Sequence, residues 1–373
     1  MSATPATGSR LAAVRSTGIY SSLEHWRGVA ALWVLFFHAL GGESRTLHPW
    51  LEALKIPARP GWLGVHLFFV ISGYCIAANV QSLRAKNLGA LDFLRDRFLR
   101  ILPTYWAAFA VTILLAAVTA RFNHAPSVDN YPVGIRGWVG NLLLIQPYLE
   151  VKDYVIVYWT LTIELGFYLI VALIFAMTRA STRLAVGLIL TLALVAVWVP
   201  PWPKALVVAC WPEFVCGLLV FYAVQANSHG DRRRCGQCLG MIVLLGILGV
   251  LADHFAPAVS HSPKQLPFAA TFALLLWGLY PLDAVINGQR ALRWLSACGL
   301  FSYSLYLLHV PFGIRVYGLG TRFIPLTSPL YGLLVACFCV ASLVVSYVFY
   351  RVFEVRFERW RRRFKVRPQS AVA

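Results

Sequence analysis

The chain reads as a succession of long apolar runs separated by short polar and basic loops. A bilayer core takes about 20 apolar residues per helix, with about 17 to 25 tolerated. On that criterion the runs predict membrane helices over 26–42, 61–79, 100–120, 157–177, 183–199, 205–225, 238–253, 267–285, 299–319 and 328–351. The stretch 138–148 is apolar but too short to span, and reads as an interfacial or re-entrant piece of the longest loop. The pattern predicts an all-α integral membrane protein, a bundle of about ten transmembrane helices with both termini cytoplasmic. Its expected parts are a cytoplasmic N-terminal segment (1–25), a transmembrane domain (26–353) and a basic cytoplasmic tail (354–373).

Composition agrees with the pattern: 59% of residues are hydrophobic, 13% are charged, and the mean hydropathy is +0.68. A net charge of +18 would point to nucleic acid in a soluble chain. Here the loops sharing a side with the N-terminus carry more than twice the Lys and Arg of the opposite loops, which is the positive-inside signature. The segment WRRRFKVR near the C-terminus is therefore expected on anionic lipid headgroups, with no nucleic-acid partner. The first 25 residues lack the apolar core and cleavage site of a secretory signal, so the first helix is expected to stay as a signal anchor. Most of the eight cysteines lie in apolar runs, where a thiol behaves as a small hydrophobe. Cys235 and Cys238 have CxxC spacing in a predicted loop, but nothing completes a metal site, and no metal is expected.

Ionisable residues inside a span cost about 2.5 to 3.5 kcal/mol each on insertion scales, so those present are candidates for function. They are Arg27, His38, His66, Glu164, Glu213, His309 and Arg315, with Asp283 and Glu354 near span ends. In RGVAALWVLFFH, Arg27 and His38 are eleven residues apart, which returns them to within about 20° of one helix face, about 16 Å apart along the axis. Either they serve chemistry, or Arg27 is a positive-inside anchor and His38 a core histidine bonded to a carbonyl. Depth along the predicted spans places His38, His66, Glu164 and His309 where they could converge in the outer half of the bundle. An imidazole oriented by a carboxylate is a usable general base near pH 7, and equally a proton relay in a transporter.

On the cytoplasmic side Arg97 and Arg100 share a face just ahead of Pro103 and Tyr105, a cluster able to clamp cofactor phosphates or simply to mark a positive-inside loop. In YWTLTIELGFYL, Trp159 is expected at the outer interface, with Glu164 inside and Tyr168 one turn later on its face. Ser72 and Gly73 are expected to permit close approach of a neighbouring helix.

Taken together these segments resemble the acyltransferase-3 family, whose hallmark is an Arg, ten residues and a His in the first membrane helix, here Arg27 and His38. GVHLFFVISGY, FLRDRFLRILPTYW, WTLTIELGFY, FSYSLYLLHVP and FEVR follow in family order, so the resemblance covers almost the whole chain from Leu23 to Glu354. It departs from the pattern at His66, where the family often has Asp, at Glu24 for Asp, and at Val355 for the Pro of the closing motif. The resemblance implies a multi-pass protein of the bacterial inner membrane. Its expected activity is transfer of an acyl group, commonly acetyl from acetyl-CoA, to a hydroxyl of a surface or exported glycan or lipid-linked saccharide. It implies His38 and Arg27 as catalytic, Arg97 and Arg100 for the acyl-CoA co-substrate, and Glu164 on the family's acidic position; the residues around them add Glu164 to the expected catalytic set, Tyr105 to the co-substrate site, and His66, Trp159, Tyr168 and His309 toward the acceptor. The alternative from the same buried charges is a proton-coupled transporter or flippase of a lipid-linked sugar.

Overall fold

A computed structural model describes residues 20–41, 47–123, 131–178, 181–199, 202–255 and 265–363. The N-terminal segment before residue 20 and the tail after residue 363 lie outside the described residues. Those described form helices, of which fourteen have eight residues or more. They are α1 (Leu23–Ala39), α2 (Pro49–Ala58), α3 (Gly64–Ala85), α4 (Ala90–Asn123), α5 (Gly134–Leu143), α6 (Trp159–Met177) and α7 (Thr182–Ala196). There follow α8 (Trp211–Ser228), α9 (Arg232–Phe255), α10 (Gln265–Leu279), α11 (Arg293–Leu300), α12 (Ser302–Gly320), α13 (Tyr331–Phe349) and α14 (Val355–Arg363).

Each apolar run predicted to span lies on a helix, but length divides them. Among the described residues seven helical stretches are long and apolar enough to cross a membrane, and an eighth counts if α11 and α12, bent by 68° at their junction, form one span. The remaining two expected spans fall on α1 (17 residues) and α7 (15 residues), both short of that length. The short stretch 138–148 becomes α5 and the one-turn helix Gln146–Leu149, with Leu144 and Glu150 in left-handed turns that end them.

The chain divides into two compact units that interleave along the sequence. The first is built from the chain up to Ala30, Val65–Ala85 and Thr178–Leu300. At its centre stands α8, where nearly every side chain is buried. It packs against α7, α9 and α10. It also crosses α3 backbone against backbone, since a Cβ on Gly217 would collide with the Val70 carbonyl and one on Gly73 with the Phe214 carbonyl. Small residues allow such approaches where lipid supplies no hydrophobic drive between helices. The N-terminus of α1 belongs to this unit, and the two residues just ahead of it are held by Asp283, whose carboxylate accepts from Ser21 N and Ser22 N at 2.8 Å each. The outer face of α9 exposes Val243, Leu244, Ile247 and Val250, as a lipid-facing surface requires. Cys235 and Cys238 lie in the first turns of α9, not in the predicted loop, packed among Ala223, Ala226, Leu239 and Trp277. All eight thiols are free.

The second unit takes Ala31–Gly64, Lys86–Met177 and the chain from Phe301 onward. Its long helix α4 packs against α6, α12 and α14. Helix α13 runs without a break through a wide turn at Tyr350–Glu354 into α14. The expected tail boundary at 354 therefore falls inside continuous helix. There Arg361 is buried and donates to Asp96 Oδ1 at 2.6 Å and Glu358 Oε1 at 2.7 Å, so this tail charge is committed to protein and not to headgroups.

Candidate active site

Within the second unit the pattern of α12 decides what comes together. Tyr303, Tyr306 and His309 recur at three-residue intervals, one above another on a helix face. His309 is 1% exposed, and its ring centroid lies 5.1 Å from that of His38, the last polar side chain of α1. The Tyr306 ring lies 6.0 Å from His309, and its hydroxyl reaches Thr160 Oγ1 at 2.6 Å and the Val157 carbonyl at 2.7 Å. Of the groups expected to converge by depth, His38 and His309 therefore do meet.

Glu164 stands half-buried on α6, where the Tyr168 hydroxyl donates to Oε1 at 2.5 Å, one helical turn away. Farther along, the Arg97 guanidinium sits over the rings of Phe93 and Tyr168 at 5.7 and 5.9 Å. Arg97 is buried, its Nε has no hydrogen-bond partner, and no carboxylate among the described residues pairs with it. A guanidinium can stack on aromatic faces, but aromatic rings do not neutralise it, so its charge is left without an acid partner. Arg100 is exposed. Arg97, Tyr168 and Glu164 thus follow one another in contact, and Tyr306, His309 and His38 form a second run of neighbouring rings.

Other expected site residues take different places. Tyr105 is fully buried, donates to the Asn141 carbonyl at 2.6 Å and sets its ring edge against Tyr158. Trp159 opens α6, half-buried. His66 and Arg27 belong to the first unit. His66 Nδ1 lies 2.6 Å from Glu213 Oε2, with both side chains almost fully buried. Arg27 Nη1 is 3.2 Å from Glu24, the acid that replaces the usual Asp before it.

Comparison with known proteins then decides the family. The acyltransferase domain model Acyl_transf_3 matches residues 20–351. The chain belongs to the acyltransferase-3 family. It is also 30% identical over 283 residues to the exopolysaccharide production protein ExoZ of Rhizobium meliloti (strain 1021), covering 72% of this chain and 81% of that one. No solved structure matches it. Family membership together with the apolar helices makes this a multi-pass membrane protein of the acyltransferase class.

For this acyltransferase the sequence reading missed several groups. Tyr306 and Thr160 beside the imidazoles could have been found from the Tyr303, Tyr306 and His309 spacing. Glu213 was recognised as a charge in a span without its partner His66. Asp153 gave no signal, because it lies in a loop whose fold is set by one side chain. Asn141 donates to the Gly137 and Lys152 carbonyls at 2.9 and 3.1 Å and accepts from Tyr154 N and Gln146 Nε2 at 2.8 and 3.3 Å. That frame leaves Asp153 half-buried, its Oδ1 without a partner, and burial pushes its carboxyl up to about 6. Among the described residues no group of three His, Cys, Asp or Glu is placed to hold a metal ion.

Proposed function

We propose that this protein is an O-acyltransferase of the bacterial inner membrane that moves an acyl group, most simply acetyl, from cytoplasmic acyl-CoA to a hydroxyl of an exported or surface glycan. The observation that carries the reading is the pair of imidazoles, His38 and His309, 5.1 Å apart in the unit that also buries Arg97 without a counter-charge. Arg97 fits an anionic ligand, and with Arg100 it would hold the phosphates of the CoA co-substrate, which brings an activated thioester. Tyr105 is assigned with the two arginines to the acyl-CoA site, and Tyr168, which holds Glu164, to acceptor binding. His38 serves as general base: it accepts the proton of the acceptor hydroxyl as the new ester bond forms and the carbon–sulfur bond breaks. Glu164 supplies the negative charge that favours protonation of the imidazoles. His66 and Trp159 are assigned to acceptor binding, and Arg27 supports catalysis from the same helix as His38.

A glycan acceptor is favoured by the relative named for exopolysaccharide production. The test is the His38→Ala protein, produced at normal abundance, with acyl groups on the cell-surface glycan read by proton NMR. Loss of the acyl signal is expected, by about 100-fold or more. Undiminished acylation would remove His38 from the mechanism.

One observation favours a second reading. A buried His–carboxylate contact such as His66 to Glu213 is what a proton-coupled carrier of a lipid-linked sugar would use. Purified protein given radiolabelled acetyl-CoA separates the two, since covalent label on an acceptor belongs to the enzyme and flux driven by a pH gradient without label belongs to the carrier.

A further inference from the structure

The orientation of His309 goes beyond the assignment of His38 as base, and the inference drawn from it rests on that assignment. His309 Nδ1 lies 2.9 Å from both the Leu305 and Tyr306 carbonyl oxygens of its own helix. A carbonyl can only accept, so Nδ1 carries the proton, and in the neutral ring the lone pair stays on Nε2. Nε2 is buried and has no hydrogen-bond partner. The His309 backbone is tied in turn, because Ser342 Oγ on α13 donates to its carbonyl. An unpaired polar atom away from water is costly. Here one nitrogen is fixed as donor and the other is held open beside a second imidazole, 5.1 Å between centroids and tilted by 53°. That separation permits a direct hydrogen bond or one bridging water.

We propose that His309 is the relay residue of the acyl transfer, taking onto Nε2 the proton that His38 removes from the acceptor hydroxyl. The hydroxyl oxygen forms its bond to the thioester carbonyl carbon while its O–H bond breaks toward His38. The carbon–sulfur bond then breaks, with its electron pair leaving on sulfur. The proton passes from His38 to His309 Nε2, leaving His38 neutral for the next acceptor, and His309 releases it to the thiolate or to water. Nδ1 stays bonded to Leu305 and Tyr306 throughout, so the ring gains and loses its proton at one nitrogen only.

The experiment uses membrane vesicles containing the full chain and the producing cell's own glycan, supplied with radiolabelled acetyl-CoA. Rates of label entry into glycan are normalised to folded protein recovered as a single size-exclusion peak. His309→Asn keeps an amide donor in the place of Nδ1 and removes the base, while His309→Ala opens a hole that added imidazole can fill. The expected result for both is a maximal rate lower by about 100-fold or more, with the half-saturating acetyl-CoA concentration within about threefold of wild type. Imidazole should restore at least a tenth of the wild-type rate to His309→Ala and nothing to His309→Asn. A merely structural His309 would leave His309→Asn active and show no rescue of His309→Ala. If His309→Asn keeps more than half the wild-type rate while His38→Ala loses label entry, the relay is wrong and the acyltransferase reading stands. If wild-type vesicles place no label on glycan, that reading fails and takes the relay with it.

Discussion

The two units differ in how some of their buried ionisable groups are met. In the first, Glu213 faces His66, Asp283 accepts from the amides just ahead of α1, and Glu24 faces Arg27. Each acid there has its partner, and the helices that carry them cross at glycines where no side chain fits. In the second, Arg97 stacks on aromatic rings without a carboxylate, His309 Nε2 is open, and Asp153 Oδ1 is bare. Leaving a buried polar group incomplete is unfavourable, on the order of 1–3 kcal/mol per group. Both units contain such atoms, among them both ring nitrogens of His25 and Trp26 Nε1 in the first, so the contrast lies in which ionisable groups are met by a counter-charge and not in how many polar atoms are left bare. The paired acids and close helix crossings of the first unit read as its frame, which mutation can test against the bare groups of the second.

The largest effect is expected where the frame is tightest. Gly217→Val places a branched side chain against the Val70 carbonyl and should destabilise the protein by more than about 4 kcal/mol, seen as loss of the folded peak after extraction. Glu213→Ala leaves His66 buried without its carboxylate and should cost about 3–5 kcal/mol, whereas Glu213→Gln, which retains an acceptor, should cost less. Comparing their thermal unfolding tells whether the pair is needed for stability. Equal and small losses would mean that the first unit is not held by its charge pairs.

The second unit should answer differently. Arg97→Met removes a buried cation that has no acid to miss it, so the unfolding temperature should hold or rise. The concentration of acetyl-CoA needed for half-maximal transfer should rise about 10- to 100-fold, or about 1.4–2.7 kcal/mol. A fall in stability with unchanged donor affinity would erase the contrast between the units. The smallest effect concerns Asp153. Its carboxyl holds a proton more tightly folded than unfolded, so its contribution is favourable below the ordinary aspartate pKa and is lost as pH rises through about 6. Asp153→Asn should therefore raise the unfolding temperature by about 1–3 °C at pH 7.5 and leave it unchanged at pH 4. A rise of equal size at both pH values would mean that the carboxyl does not titrate as its burial implies.

What the sequence made legible follows from what hydrophobic runs encode. A run gives the depth of a residue, and depth brought His38 and His309 to one level. It does not give the direction in which a helix turns its face, so the contact between His66 and Glu213 was not readable from depth. The Tyr168 to Glu164 contact was readable because both lie on one helix, four residues apart. The count of about ten spans rested on apolar length alone, and α1 and α7 fall below it because polar residues or a short helix end them early. Asp153 was invisible because a loop has no period, and its burial arises from Asn141 and not from its own neighbours in sequence.

Asn141 carries a consequence for how this chain can change over generations. Connecting segments usually accept insertions and altered side chains readily. Between α5 and α6 a single amide gathers two carbonyls, a backbone amide and a glutamine, while its own carbonyl receives a tyrosine from α4. No other side chain offers two donors and an acceptor at that reach, so this outwardly irregular stretch is among the places least free to drift.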